Sequence, residues 1–206
     1  MSRQRKIVCF TLGVIPVICD GFLGLPGWGY EVETHQGISQ EAVRSSSVQS
    51  TVRDSLGIDS GIEARLKDGK VEKTIQGWVV EGSKREDDYT TFPSGRFRNH
   101  FHHPLRSWGN AGLSDTFAGQ SSVVWAQTRA QPAAMTGSWS WQETRDRFAL
   151  ALTSALQKDR DRWLAQTFRG LGHQVHLIQD AASVPHARNE SHVTGFSLES
   201  WTRERF

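Results

Sequence analysis

The sequence predicts a single all-α, bundle-like domain with long loops, preceded by a signal peptide. Its 206 residues suffice for one domain with a substantial core. After residue 27, apolar side chains recur mostly at helical spacing, and the period-2 alternation typical of half-buried strands is scarce. The first 27 residues instead combine a cationic start with a short apolar run, which is typical of export signals.

The N-terminal segment is interpreted as a signal peptide over residues 1–27. Cationic residues within Met1–Lys6 precede an apolar run, Ile7–Cys19. This run of about 13 residues is shorter than the roughly 20 that a permanent membrane helix needs. Cleavage is therefore favoured over an uncleaved anchor or a buried N-terminal helix. We expect a secreted or periplasmic protein without a stable membrane span, and no protein partner is inferred.

Cysteine usage and charge narrow the function classes. Cys9 and Cys19 both lie in the predicted signal, so the mature domain has no thiol for a disulfide or a zinc site. The signal also carries two cations more than acids, and without it the formal net charge of +2 becomes zero. A neutral domain gives no broad electrostatic argument for binding nucleic acid or anionic membranes, although specific phosphate contacts remain open.

The helical pattern divides the mature chain into five stretches. Apolar spacing predicts helices over residues 36–56, 61–81, 114–128, 140–158 and 160–182. Two regions rich in glycine and proline, 82–113 and 129–139, are predicted to be irregular. A loop as long as the first of these is often functional, so the expected architecture is a helical bundle with a long loop laid across it.

The densest group of chemically active residues lies near the end of the last predicted helix. His176 and Asp180 are one helical turn apart, project from the same face and can bind one metal ion. Pro185 predicts that the helix stops, which lets His186 return as a ligand from the following loop. Such a pair alone would more often be a core histidine beside a solvated carboxylate. The thiol-free mature chain, however, has eight histidines, a composition that suits zinc: His35, His100, His102, His103, His173, His176, His186 and His192.

Short motifs in chain order carry a family resemblance. They are Trp28, His35, Glu86-Asp87-Asp88, Asn99-His100-Phe101, His176-x3-Asp180-x5-His186, and His192 followed by Glu199. In this order the motifs resemble those of the zinc-dependent phospholipases C and the related zinc single-strand nucleases, over residues 28–199. The resemblance implies a zinc-dependent phospholipase C-like domain over residues 28–206. Because members usually extend well beyond the last ligand, C-terminal truncation is one interpretation of the end at Phe206.

The resemblance implies nine ligands for about three zinc ions. The first ion would be held by Asp87, His100, His176 and Asp180. The second would be held by His186, His192 and Glu199. The third would be held by His35, by Asp180 as a bridge, and by the free amino and carbonyl groups of Trp28 after cleavage. Asp87 is also expected to orient the attacking water, with Asp88 as its alternative. His173 is expected to support or pack against the site, and His102 and His103 remain unassigned.

The expected function is that of a secreted zinc-dependent phosphodiesterase. The His100-Phe101 pair and the spacing of the acidic cluster before it resemble the lipase branch of the family more closely. The resemblance therefore implies a phospholipase C, which hydrolyses a phospholipid phosphodiester with a metal-activated water. One alternative is a single-strand nuclease or nucleotidase of the same superfamily, with bases stacked on tryptophans. Another is a non-catalytic secreted zinc-binding domain. The expected substrate is accordingly a phospholipid or nucleic-acid phosphodiester.

Overall fold

The computed structural model describes residues 32–87, 95–114, 118–131, 137–190, 201, 202 and 205. The described chain is mostly helical, which confirms the predicted mainly-α class. Its helices are α1 (Val32–Ser45), α2 (Val48–Ser50), α3 (Ile75–Glu86), α4 (Ser122–Trp125), α5 (Trp141–Thr153), α6 (Gln157–Ala181) and α7 (Val184–Arg188). The predicted signal peptide, Trp28, His192 and Glu199 lie outside the described residues.

Helix α6 organises the fold. It is 25 residues long, and α3, α5, α1 and the hairpin strand Arg65–Asp68 all pack against it. Apolar residues recur at helical spacing along α6, at Leu164, Phe168 and Leu171. This pattern favours burial of one side of the helix. The buried core is formed by Val43, Val52, Ile62, Leu66, Ile75, Trp78, Val79, Ala151, Leu164, Ala165 and Phe168. In the described chain, no helix pairs the length with the apolar composition needed to cross a bilayer.

Two glycines let α3 and α6 approach closely. A Cβ on Gly82 would lie 1.9 Å from the carbonyl oxygen of Arg169, and one on Gly172 would lie 2.0 Å from that of Val79. Only hydrogen fits at either position, because a backbone oxygen cannot rotate away as a side chain can. The close approach places the end of α3 against the second half of α6, where the predicted metal ligands lie.

Gly172→Ala should therefore lower the free energy of unfolding by about 1–3 kcal/mol, the usual cost of overpacking. Alanine is intrinsically the better helix former by about 1 kcal/mol, so the steric effect must overcome an opposing preference. Urea denaturation measures the change. Gly109→Ala is the matched control, because a Cβ there meets nothing within 4 Å, and it should change stability by less than about 0.5 kcal/mol. A neutral or stabilised Gly172→Ala would contradict the close packing.

The helix predicted over residues 61–81 is wrong in its first half. A 3₁₀ turn is followed there by an antiparallel hairpin of β1 (Arg65–Asp68) and β2 (Val71–Thr74). The reason is Gly69, which adopts a φ of +61° as the first residue of the two-residue turn Gly69-Lys70. The side chain of Thr74 then caps α3 by accepting a hydrogen bond from the backbone N–H of Gly77 at 2.9 Å.

Other boundaries differ from the predicted ones. The stretch 36–56 is interrupted after α1 and ends in a π-helical turn, Thr51–Ser55. Among the described residues of 114–128, only α4 is helical. Helix α3 continues to Glu86, and Asp87 is its C-cap. These two acids therefore lie at a helix end rather than in the long loop predicted from residue 82. Pro185 stands in the first turn of α7, where its missing N–H costs nothing, so His186 lies on a short helix rather than in a loop.

Candidate metal centre

The structure gathers six of the nine predicted ligands into one buried group, here called the histidine–carboxylate cluster. His176 and Asp180 come from α6, and His186 comes from α7. Helix α1 contributes one ligand, the end of α3 contributes another, and a third follows the 3₁₀ turn over Arg96–Asn99: these are His35, Asp87 and His100. All six are buried, with Asp87 the most exposed at 3%. The proposed ligands Trp28, His192 and Glu199 lie outside the described residues.

Asp180 lies at the centre of the cluster. Its Oδ2 lies 2.9 Å from Nδ1 of His100 and 3.1 Å from Nε2 of His176. Its Oδ1 lies 3.4 Å from Nε2 of His35 and 3.9 Å from Nε2 of His186. Each carboxylate oxygen thus faces a different pair of imidazoles. This geometry suits a carboxylate that bridges two cations.

Asp87 adds a second carboxylate on one side of the cluster. Its Oδ1 is 3.5 Å from both Nδ1 of His100 and Nε2 of His176, and its Oδ2 is 4.0 Å from Nε2 of His35. Three overlapping sets have ligand atoms within 4.8 Å of one another: His35 with His176 and Asp180, Asp87 with His100 and His176, and His100 with Asp180 and His186. Each set can hold a metal ion.

Several ligand atoms are buried without hydrogen bonds. Within the described chain, this holds for both ring nitrogens of His100, Nε2 of His176, Oδ1 of Asp87 and both carboxylate oxygens of Asp180. Buried polar atoms are costly unless they are paired, and these atoms face one another, so the group needs either protons on its imidazoles or a shared cation. Imidazole and carboxylate donors converging without a thiolate fit a zinc-type cation.

Two of the imidazole rings are oriented by hydrogen bonds from Nδ1, the ring nitrogen that faces away from Asp180. Nδ1 of His176 donates to the carbonyl oxygen of Ser83 at 2.8 Å, and Nδ1 of His35 donates to Oε1 of Gln179 at 2.5 Å. Gln179 is itself fixed by donating from Nε2 to Oγ of Ser39 at 2.9 Å. Each bond leaves the Nε2 lone pair directed toward Asp180, which is the usual arrangement around metal-binding histidines.

Glu86 is a supporting residue that the sequence analysis did not identify. Its buried carboxylate accepts hydrogen bonds from Nε of Arg96 at 2.8 Å and from Nε1 of Trp125 at 2.9 Å. It also contacts Nδ1 of His173, and its Oε1 lies 3.7 Å from Nε2 of His100. His173 has the supporting role expected for it, and its ring stacks on Trp139 with centroids 5.1 Å apart. The two adjacent acids therefore have different partners. Asp87 faces the cluster, whereas Glu86 contacts Arg96, Trp125 and His173 beside it.

Burial and ion pairing set the proton content of the metal-free cluster. Burial lowers the pKa of His100, but the Asp180 and Glu86 carboxylates outweigh it and raise this pKa to about 9. The pKa of His176 is raised well above its usual value despite burial, chiefly by Asp87 and Asp180. Burial would raise the pKa of Asp180, yet the imidazoles of His186 and His176 hold it well below its usual range. Metal binding must therefore displace protons from the histidines.

Glu86→Gln should lower the free energy of unfolding by about 3–5 kcal/mol, because it leaves the buried guanidinium of Arg96 without its counter-charge. Urea denaturation measures this change. The double variant Glu86→Gln/Arg96→Met removes both charges and should lose less stability than the single variant. A single-variant loss below about 1 kcal/mol, the size expected of an exposed pair, would contradict this account.

The side chains of the unassigned histidines make other contacts. Nδ1 of His102 lies 2.8 Å from Oγ of Ser121, and Nδ1 of His103 accepts a hydrogen bond from the backbone N–H of Leu105 at 3.3 Å. Neither belongs to the three ligand sets found among the described residues. Asp88, the alternative to Asp87, lies outside the described residues.

A cavity of about 510 Å³ lies near the start of α6, away from the cluster. Its polar lining is already paired, since Gln157 donates to Oδ1 of Asp161 at 2.6 Å and Arg160 donates to Oε1 of Gln157 at 2.7 Å. No cluster residue lines it, so it adds nothing to the metal chemistry.

No protein-family model, curated protein or solved structure matches the chain.

Proposed function

We propose that the chain is an exported zinc-dependent phosphodiesterase and that it acts as a phospholipase C. The observation that carries this proposal is Asp180, a buried carboxylate surrounded by four imidazoles and accompanied by Asp87. Nitrogen and oxygen donors without thiolates suit zinc, and overlapping ligand sets support more than one ion. The order of motifs supports the phospholipase C class by resemblance.

The ligand sets support an assignment of ligands to about three zinc ions. Asp87, His100 and His176 would hold one ion together with Asp180. His35 and Asp180 would contribute to another, and His186 would contribute to the remaining one. The resemblance adds further ligands to the last two ions: Trp28, His192 and Glu199. Bound zinc supplies Lewis acidity that lowers the pKa of water and positive charge that stabilises the transferring phosphoryl group.

The chain's own groups position the reactants. The four imidazoles surround Asp180. Gln179 orients the ring of His35, and the Ser83 carbonyl orients that of His176. Asp87, the least buried of the six described ligands, is assigned to orient the attacking water. The water oxygen forms a new bond to phosphorus while the bond from phosphorus to the glycerol oxygen breaks. The products are diacylglycerol, which takes up a proton, and the phosphorylated headgroup.

A substrate comparison tests the proposal. The exported protein, loaded with zinc, is assayed on phosphatidylcholine and on single-stranded DNA. Release of phosphocholine and diacylglycerol is the expected result. Cleavage of DNA alone would replace the phospholipase with the nuclease alternative. A zinc-loaded chain inactive on both substrates would favour the non-catalytic zinc-binding domain. N-terminal sequencing of the same preparation tests export, and the expected first residue is Trp28.

A further inference from the structure

A short loop at the cluster end of the molecule exposes two large apolar side chains. Leu105 is 89% exposed and Trp108, three residues later, is 60% exposed. Arg106, also exposed, stands between them. Residues 103–111 are here called the apical loop. Exposed apolar side chains that are adjacent, rather than scattered, usually mark an interaction surface.

Hydrogen bonds within the apical loop hold this exposure in place. The backbone N–H of His103 donates to the carbonyl oxygen of Ala111 at 2.9 Å, which closes the loop at its base. The N–H of Arg106 donates to the His103 carbonyl at 3.1 Å, and the side-chain amide of Asn110 donates to Oγ of Ser107 at 3.2 Å. The loop is thus a braced turn that presents its apolar tip outward.

The base of the apical loop is attached to the metal-binding end. The N–H of His102 donates to the carbonyl oxygen of His186 at 3.1 Å, and the amide of Asn189 donates to the Gly112 carbonyl at 2.6 Å. Phe101 stacks on the His186 ring with centroids 4.5 Å apart. Val184, at the start of α7, adds a further side chain with 54% exposure. Whatever the loop touches is therefore brought to the end of the molecule that holds the cluster.

The charge around the loop favours an anionic partner. The apical loop itself, residues 103–111, contains one arginine, Arg106, and no aspartate or glutamate. An arginine between two apolar side chains suits an interface, since its head can reach phosphate while its stem lies along apolar groups.

We propose that the apical loop docks the cluster end of the molecule onto a membrane surface containing anionic phospholipid. Leucine partitions into the acyl boundary, tryptophan favours the headgroup level, and arginine is attracted by anionic headgroups. Nucleic acid would use Trp108 and Arg106 but leave Leu105, which has no π-face for stacking, without a role. The proposal concerns binding and goes beyond the proposed hydrolysis, which it does not require.

Sedimentation with vesicles tests the docking. The zinc-loaded protein that begins at Trp28 is mixed with vesicles of phosphatidylcholine alone or with about 40% phosphatidylglycerol, and bound protein is measured at low and high salt. The wild-type protein should bind the anionic vesicles more tightly, and salt should weaken the binding. Leu105→Ser/Trp108→Ser should weaken it by about tenfold or more. Leu152→Ser/Leu156→Ser, two leucines of similar exposure elsewhere, should bind within about twofold of the wild type.

The other possible outcomes contradict the docking or identify a different binding partner for the loop. Equal binding by the wild type and the apical-loop variant would overturn the proposal, as would equal binding to neutral and anionic vesicles. Loss of oligonucleotide binding in that variant, without vesicle binding by the wild type, would assign the loop to nucleic acid. Loss of a wild-type dimer would assign it to a second copy. If the chain hydrolyses lipid, the variant should keep its turnover of a monomeric short-chain phospholipid, so failed docking and failed hydrolysis are distinguishable.

Discussion

Asp180→Asn should reduce bound zinc by at least two ions per chain and lower turnover by about 1,000-fold or more, the scale of losing an essential catalytic component. Both oxygens of this carboxylate lie within 4 Å of imidazole nitrogens, two on each side. An amide has nearly the same shape but no negative charge, and its nitrogen cannot act as a ligand. One substitution therefore affects every ligand set that shares the residue. Elemental analysis and the phospholipid assay measure the two effects.

The matched control for this variant is Asp159→Asn. It makes the same chemical change on the same helix, but in the first turn of α6. At 1.5 Å per residue the two aspartates lie about 30 Å apart along the helix. Zinc content and turnover should both stay at wild-type values in the control. An Asp180→Asn variant that kept its zinc and its rate would remove Asp180 from the centre of the site.

Zinc affinity should rise by up to about tenfold per pH unit between pH 7 and pH 8.5, because binding displaces the proton that His100 holds in the metal-free cluster. The Asp180 and Glu86 carboxylates raise the pKa of His100 to about 9, and Asp87 and Asp180 raise the pKa of His176 as well. Zinc binds only neutral imidazole, so each proton must leave. Competition with a chelator gives the affinity, and calorimetry in two buffers of different ionisation enthalpy gives the proton count. Affinity that does not change with pH would contradict the paired, protonated cluster.

The stability of the metal-free protein should change with pH in the opposite direction. A histidine pKa raised to about 9 in the folded chain contributes stability that is complete below pH ~6.5 and is lost as the pH rises through 9. Asp180 and Glu86 have lowered pKa values, so their contribution is present above pH ~4.5 and is lost as the pH falls. The melting temperatures of the zinc-loaded and metal-free proteins should therefore diverge as the pH rises from 6.5 to 9.

Local patterns explain which parts of the site could be predicted. His176 and Asp180 are one turn apart on a strongly periodic helix, so their shared face could be inferred from spacing alone. The positions of His35, Asp87 and His100 came from motif order, because no local pattern ties them to α6. His186 was expected to return toward Asp180, and it does so on a helix that begins at Pro185.

The missed features depend on contacts between residues far apart in sequence. Helical spacing over 61–81 predicts a helix there, but Gly69, with a φ of +61°, starts the turn of the hairpin instead. Glu86 receives no role from the sequence, which assigns Asp87 with Asp88 as its alternative, because only the fold shows that the end of α3 places Glu86 against Arg96. The Gln179 side chain lies one position before Asp180, and nothing local indicates its bond to His35, 144 residues away.

The zinc content of the purified wild-type protein tests the central claim most directly. The protein is purified without chelators, and its zinc is measured by elemental analysis and native mass spectrometry. The chain should carry about three zinc ions, bound by the overlapping ligand sets around Asp180. Asp159→Asn should carry the same number. One zinc ion per chain, or none, after purification in excess zinc would contradict the multinuclear centre.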